Sequence, residues 1–90
     1  MEYKSNKAMI SLKKAQGLIS KIITMNENKE YCIDIMQQNL AAIGLLKAAH
    51  ELLMENHLNT CFKSALAAKN EKIKQGMIDE ILKVNRIYNK

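Results

Sequence analysis

The sequence predicts an all-α fold of three helices with a long central one. Three observations carry that expectation. Ala, Leu, Ile, Lys, Met and Gln dominate a 90-residue chain that is 48% hydrophobic yet holds one Phe, no Trp and no Pro, and such a composition favours helix. No alternating run of Val, Thr and aromatic residues marks a strand. Apolar residues recur at helical spacing through three stretches parted by two short polar breaks. A chain of this length is expected to form one domain over residues 1–90. So short a helical chain often completes its core by oligomerising.

Ser5 or Asn6 is placed to cap a first helix running to about Met25, with Met9, Leu12, Ala15, Ile19, Ile22 and Ile23 at helical spacing. Asn26-Glu27-Asn28 reads as a turn. A second helix is expected from near Lys29 to about Ala67, carrying Ile33, Met36, Leu40, Ile43, Leu46, Leu53 and Leu58, with Gly44 as its weak point. Lys69-Asn70-Glu71 is the second connection. The third helix, roughly Ile73 to Tyr88, offers Met77, Ile78, Ile81, Leu82 and Ile87. A helix as long as the second needs a partner along its whole length, which points to a dimer or a larger bundle.

The net charge is +5 and unevenly spread. Six Lys face three Glu in residues 1–30, one Lys faces one Asp and two Glu in 31–60, and six Lys with one Arg face one Asp and two Glu in 61–90. Basic ends around a mildly acidic middle fit an anionic partner, nucleic acid first, though solvated lysines on helix backs explain the counts equally well. The first residues lack the apolar core of a signal peptide, and the longest apolar run, Leu40 to Leu46, is far short of a membrane span. A cytosolic protein without a membrane partner is expected. Two cysteines in that setting fit thiols or metal ligands better than a disulfide. No nucleophile–base–orienter arrangement marks an enzyme.

Three side chains stand out. On a helix turning about 100° per residue, His57 lies seven turns less roughly 20° from Cys32, and Cys61 eight turns plus roughly 20°. All three share one stripe. The 25 residues from Cys32 to His57 rise about 37 Å, so one chain cannot bring them together. In an antiparallel pair each Cys32 would meet the partner's His57 and Cys61, making two symmetric sites of two sulfurs and one nitrogen. His57-x-x-x-Cys61 presents two ligands one turn apart. Such a soft trio suits three-coordinate Cu(I), whereas Zn(II) asks for a fourth ligand. Spacing alone leaves open that both cysteines are buried core residues. His50 reads as an ordinary helix residue offset from this stripe, and the six scattered Met read as core packing.

The segments Lys29-Glu30-Tyr31-Cys32-Ile33-Asp34-Ile35 and His57-Leu58-Asn59-Thr60-Cys61 resemble the copper-sensing repressor family, the CsoR/RcnR group, across roughly residues 8 to 85. That family carries Tyr-Cys-Ile-Asp at the start of its long helix and His-x-x-x-Cys near its end. The resemblance implies an all-α antiparallel dimer with a four-helix core, paired into a dimer of dimers. It implies a repressor that holds double-stranded operator DNA as apoprotein and releases it on binding Cu(I). Cys32 of one protomer and His57 with Cys61 of its partner would be the ligands. Tyr31 and Glu80 correspond to the pair that links the family's site to its third helix. His57 sets the chain apart from the persulfide sensors of the group, and Cys61 from its nickel and cobalt sensors.

The first helix departs from the family's Arg-Leu-x-Arg-Ile-x-Gly-Gln-Val-x-Gly. Here Ser11-Leu12-Lys13-Lys14-Ala15-Gln16-Gly17-Leu18-Ile19-Ser20-Lys21 keeps Gly17 but replaces both arginines and the glutamine. Lysine attracts phosphate without arginine's two-pronged fork. Lys13, Lys14, Lys21 and Lys47 are the candidate DNA contacts, the last matching a basic position of the family's second helix. Two alternatives stand beside the repressor: a copper-binding or buffering member without DNA binding, and a thiol-based sulfide or redox sensor.

Overall fold

The computed structural model describes residues 2–67 and 69–90, with side chains from Lys7 on. The described residues are helical, without a strand. In order they form α1 (Glu2–Glu27), α2 (Cys32–His57), a π-helical turn (Leu58–Phe62), α3 (Lys63–Ala67) and α4 (Glu71–Tyr88). Two compact units divide the chain, residues 1–56 and residues 57–90.

In the first unit α1 starts upstream of its expected cap. Ser5 and Asn6 are interior helix positions rather than N-caps. No Pro or Gly between Glu2 and Asn6 stops the helix from extending back. Its other end also overruns the expected turn, because the chain waits for one residue able to reverse. Lys29 takes that role at φ 54. The Glu30 N–H donates to the Met25 carbonyl at 3.0 Å, and the Lys29 N–H to that of Asn26 at 3.1 Å. These two bonds form a Schellman cap, whose left-handed position normally belongs to glycine. Lys29→Gly is therefore expected to stabilise the protein by about 1 kcal/mol, read as a higher denaturant midpoint.

The reversal leaves Tyr31 as the residue before α2. Its carbonyl accepts the N–H groups of Asp34 at 3.0 Å and Ile35 at 3.2 Å, which sets Cys32 as the first helical residue. A four-residue connection between two 26-residue helices makes an antiparallel hairpin. Its seam is lined by small side chains. Ala8 and Ala15 on α1, and Ala42 and Ala49 on α2, are buried at seven-residue intervals, Ala15 and Ala49 to 1% exposure. That interval is the repeat of a coiled-coil seam. Met25 closes the seam near the turn.

The large apolar residues face outward. Leu12 and Ile22 are half-buried, while Met9, Ile19 and Ile23 are exposed. On α2, Ile33, Met36, Leu40, Ile43, Leu46 and Leu53 are all exposed, Met36 to 57% and Leu40 to 66%. Of the described methionines Met25 is buried and Met54 and Met77 are half-buried, so core packing within one chain leaves Met9 and Met36 unaccounted for. An apolar face of this size marks an interaction surface. Gly17 and Gly44 sit inside helices with nothing within 4 Å of where a Cβ would stand. Each costs its helix about 1 kcal/mol that no neighbour within the chain explains.

In the second unit the helix expected to continue to Ala67 becomes a π-turn and then the short α3. Asn59, Thr60, Cys61 and Phe62 are four consecutive weak helix formers. Both elements pack together and α3 meets α4. Ala65 is buried. Asn70 caps α4: its Oδ1 accepts from the Lys72 N–H at 3.0 Å and the Ile73 N–H at 3.2 Å. Asn70→Ala is expected to destabilise the protein by about 1 kcal/mol in chemical denaturation. The exposed Lys74–Glu71 pair at 3.4 Å adds little.

Candidate metal centre

Cys32 begins α2 and His57 ends it. Cys32 is an exposed free thiol at the helix's first turn, where Asp34 also stands. Tyr31, just outside the helix, is 67% exposed. His57 is half-buried, with α-helical backbone at φ −60, ψ −46 leading into the π-turn. Cys61 lies within that turn as a second exposed free thiol. Both thiols are thus accessible in the single chain rather than buried in its core.

The π-turn alters the relation between His57 and Cys61. Four residues of α-helix overshoot a full turn by about 40°. A π-turn is wider, closing its hydrogen bond one residue later, so the angle between His57 and Cys61 departs from that α-helical value. The Thr60 hydroxyl donates to the Cys61 Sγ at 3.7 Å, a contact that restricts where the sulfur points. Neither feature was foreseen from spacing. The run of weak helix formers from Asn59 to Phe62 is the signal that announces the turn.

Among the described residues, no three His, Cys, Asp or Glu side chains of one chain come together as a group able to hold a metal. Glu80 is an exposed residue of α4. Lys13, Lys14 and Lys21 are exposed on α1, and Lys47 is exposed on α2. His50 corrects one expectation. It follows Cys32 by 18 residues within α2, five whole turns at about 100° each residue, and so shares the Cys32 face rather than being offset from it. It is half-buried and lies about 10 Å of helix rise before His57, too far to join the same ion.

Comparison with known proteins adds independent observations. A family model described as metal-sensitive transcriptional repressor matches residues 4–86. The copper-sensing transcriptional repressor CsoR of Mycobacterium ulcerans (strain Agy99) is 37% identical over 79 residues, covering 88% of this chain and 65% of that relative. The CsoR of Bacillus subtilis (strain 168) is 30% identical over 79 residues, covering 88% of this chain and 75% of that protein. The chain spans a little over half, 53%, of the matched CsoR of Mycobacterium tuberculosis (strain ATCC 25618 / H37Rv). The crystal structure of the copper-sensing repressor CsoR with Cu(I) from Geobacillus thermodenitrificans NG80-2 superposes with a TM-score of 0.84 at 27% identity, covering 100% of this chain and 91% of that one. No helix among the described residues is long and apolar enough to cross a membrane.

Proposed function

The chain belongs to the metal-sensitive transcriptional repressor family, and from that premise we propose that it is a Cu(I)-responsive repressor. As apoprotein it binds double-stranded operator DNA; Cu(I) releases it. The ligands are Cys32 of one protomer and His57 with Cys61 of its antiparallel partner. One observation carries the reading. The two exposed thiols and the imidazole stand at opposite ends of the run that begins at Cys32, and an exposed apolar face lies along α2 between them. That arrangement leaves the donors apart within one chain and offers a second copy the surface on which to bring them together.

The donor set fits the ion. Two sulfurs and one imidazole nitrogen are soft ligands of the kind that select Cu(I). Cu(I), held by Cys32 of one protomer and by His57 with Cys61 of its partner, would supply coordination bonds that tie the two protomers together. The chain's own residues do the remainder. Tyr31 adjoins Cys32 at the helix start, and Glu80 on α4 is the matching polar group through which the third family helix is drawn toward His57. Lys13, Lys14, Lys21 and Lys47 neutralise phosphates in the metal-free form. Coupling between the two sites is reciprocal: whatever Cu(I) does to DNA affinity, DNA does to Cu(I) affinity. A dimer of dimers in the cytoplasm is the assembly this reading requires.

An anaerobic gel-shift titration tests the proposal. Apoprotein is expected to retard operator DNA and one equivalent of Cu(I) for each chain to abolish the shift. Apoprotein that binds Cu(I) but ignores every fragment would make it a copper buffer. A response that survives His57→Ala would make it a thiol sensor.

A further inference from the structure

We infer that Gly17 is the point where the DNA backbone comes closest to α1, a phosphate resting over its Cα within reach of Lys13, Lys14 and Lys21. The inference rests on the DNA-binding reading above and assigns that surface a definite contact. On a helix the side chains bordering position 17 come from positions three and four away. Here these are Lys13, Lys14, Ser20 and Lys21, all exposed. Three of the four are cations and the fourth is small. From Tyr3 to Asn26 the helix carries no acidic residue at all, its two glutamates standing at its very ends, so no carboxylate of α1 borders that charge.

The glycine is otherwise unexplained. It weakens the middle of a long helix, it has an ordinary helical backbone, and an added Cβ would meet nothing within 4 Å. No turn, positive φ or close neighbour within the chain asks for it. A missing side chain ringed by lysines instead leaves a shallow gap in the helix surface. A phosphate can settle there against the Cα hydrogens, a weak but recurrent contact, while the ammonium groups close around it. Phosphate contacts position a protein on a duplex without reading its bases. Gly17 would thus set the depth at which α1 sits on the strand.

The experiment compares full-length, metal-free wild type with Gly17→Ala and Gly76→Ala, using a labelled duplex of mixed sequence at low salt. Gly76 is a suitable control, since it too lies within a helix with open space around its Cα. Both variants are expected to melt a few degrees higher than wild type, because alanine favours helix. Gly17→Ala is expected to keep its oligomeric state yet bind the duplex about tenfold more weakly, with a shallower salt dependence. Gly76→Ala is expected to bind like wild type. Equal binding by Gly17→Ala and wild type overturns the inference and leaves the repressor reading intact. A changed oligomeric state in Gly17→Ala also overturns it, assigning the gap to another copy of the chain. Wild type that binds no duplex overturns the DNA reading and this inference with it.

Discussion

Cys32→Ala is expected to retain DNA binding and lose release by Cu(I). The thiol sits exposed on the first helical residue, where truncation costs the fold within about 0.5 kcal/mol. Removing it deletes one of three donors from each proposed site. Outer partners of metal ligands alone change affinity by 10–100-fold on substitution, so losing a ligand should weaken Cu(I) binding by more than about 100-fold. His57 and Cys61 would remain as a two-donor fragment on one protomer, no longer fastened to the other. Competition with a Cu(I) chelator measures the affinity, and anisotropy of a labelled operator measures release. A Cys32→Ala protein that still lets go of DNA at one equivalent of Cu(I) would remove Cys32 from the site.

Ile43→Glu is expected to break the assembly and, with it, copper binding, although every proposed donor is untouched. Ile43 follows Cys32 by 11 residues, three turns plus about 20°, and so lies on the same face of α2. It is 41% exposed in the single chain, within the apolar strip formed by Met36, Leu40 and Leu46. In a two-fold pair each substitution occurs twice, placing two carboxylates in an apolar interface, each at a cost of several kcal/mol. Glutamate suits a helix well, so the substitution acts through the assembly and not through helix propensity. Light scattering is expected to show monomer, and Cu(I) affinity to fall by at least about 100-fold, while Ile43→Leu behaves as wild type. Tight Cu(I) binding by a monomeric Ile43→Glu protein would show that one chain suffices.

Much of the fold was legible because helical periodicity is a strong signal over long stretches. The helix type, the three helical stretches (the second of them broken by the π-turn before α3) and the second connection at Lys69-Asn70-Glu71 follow from it, and Asn70 caps α4 there. What escaped had weaker signals. Nothing marks Lys29 as the residue that adopts a left-handed backbone, since any glycine is absent from the turn. Ser5 and Asn6 look like caps, yet a cap residue inside a continuing helix is merely tolerated. Size misled the reading of the seam. Bulky Met9, Ile19, Leu40 and Ile43 suggest a core, whereas Ala8, Ala15, Ala42 and Ala49 form it within the chain and the bulky residues point outward. At the site, the residue types and their spacing were visible at once. The π-turn carrying Cys61 was not, because four poor helix formers only hint that a helix will widen.

The alanine seam has a consequence for how this protein exists in solution. Methyl groups remove little oily area from water, so a lone hairpin has scant reason to hold its shape. The larger apolar side chains lie on the outer face, which the hairpin itself leaves open. Where a second copy covers that face, as proposed above, foldedness becomes a property of the population rather than of the individual: plentiful copies sustain one another, and dilution dissolves the structure along with the partnership.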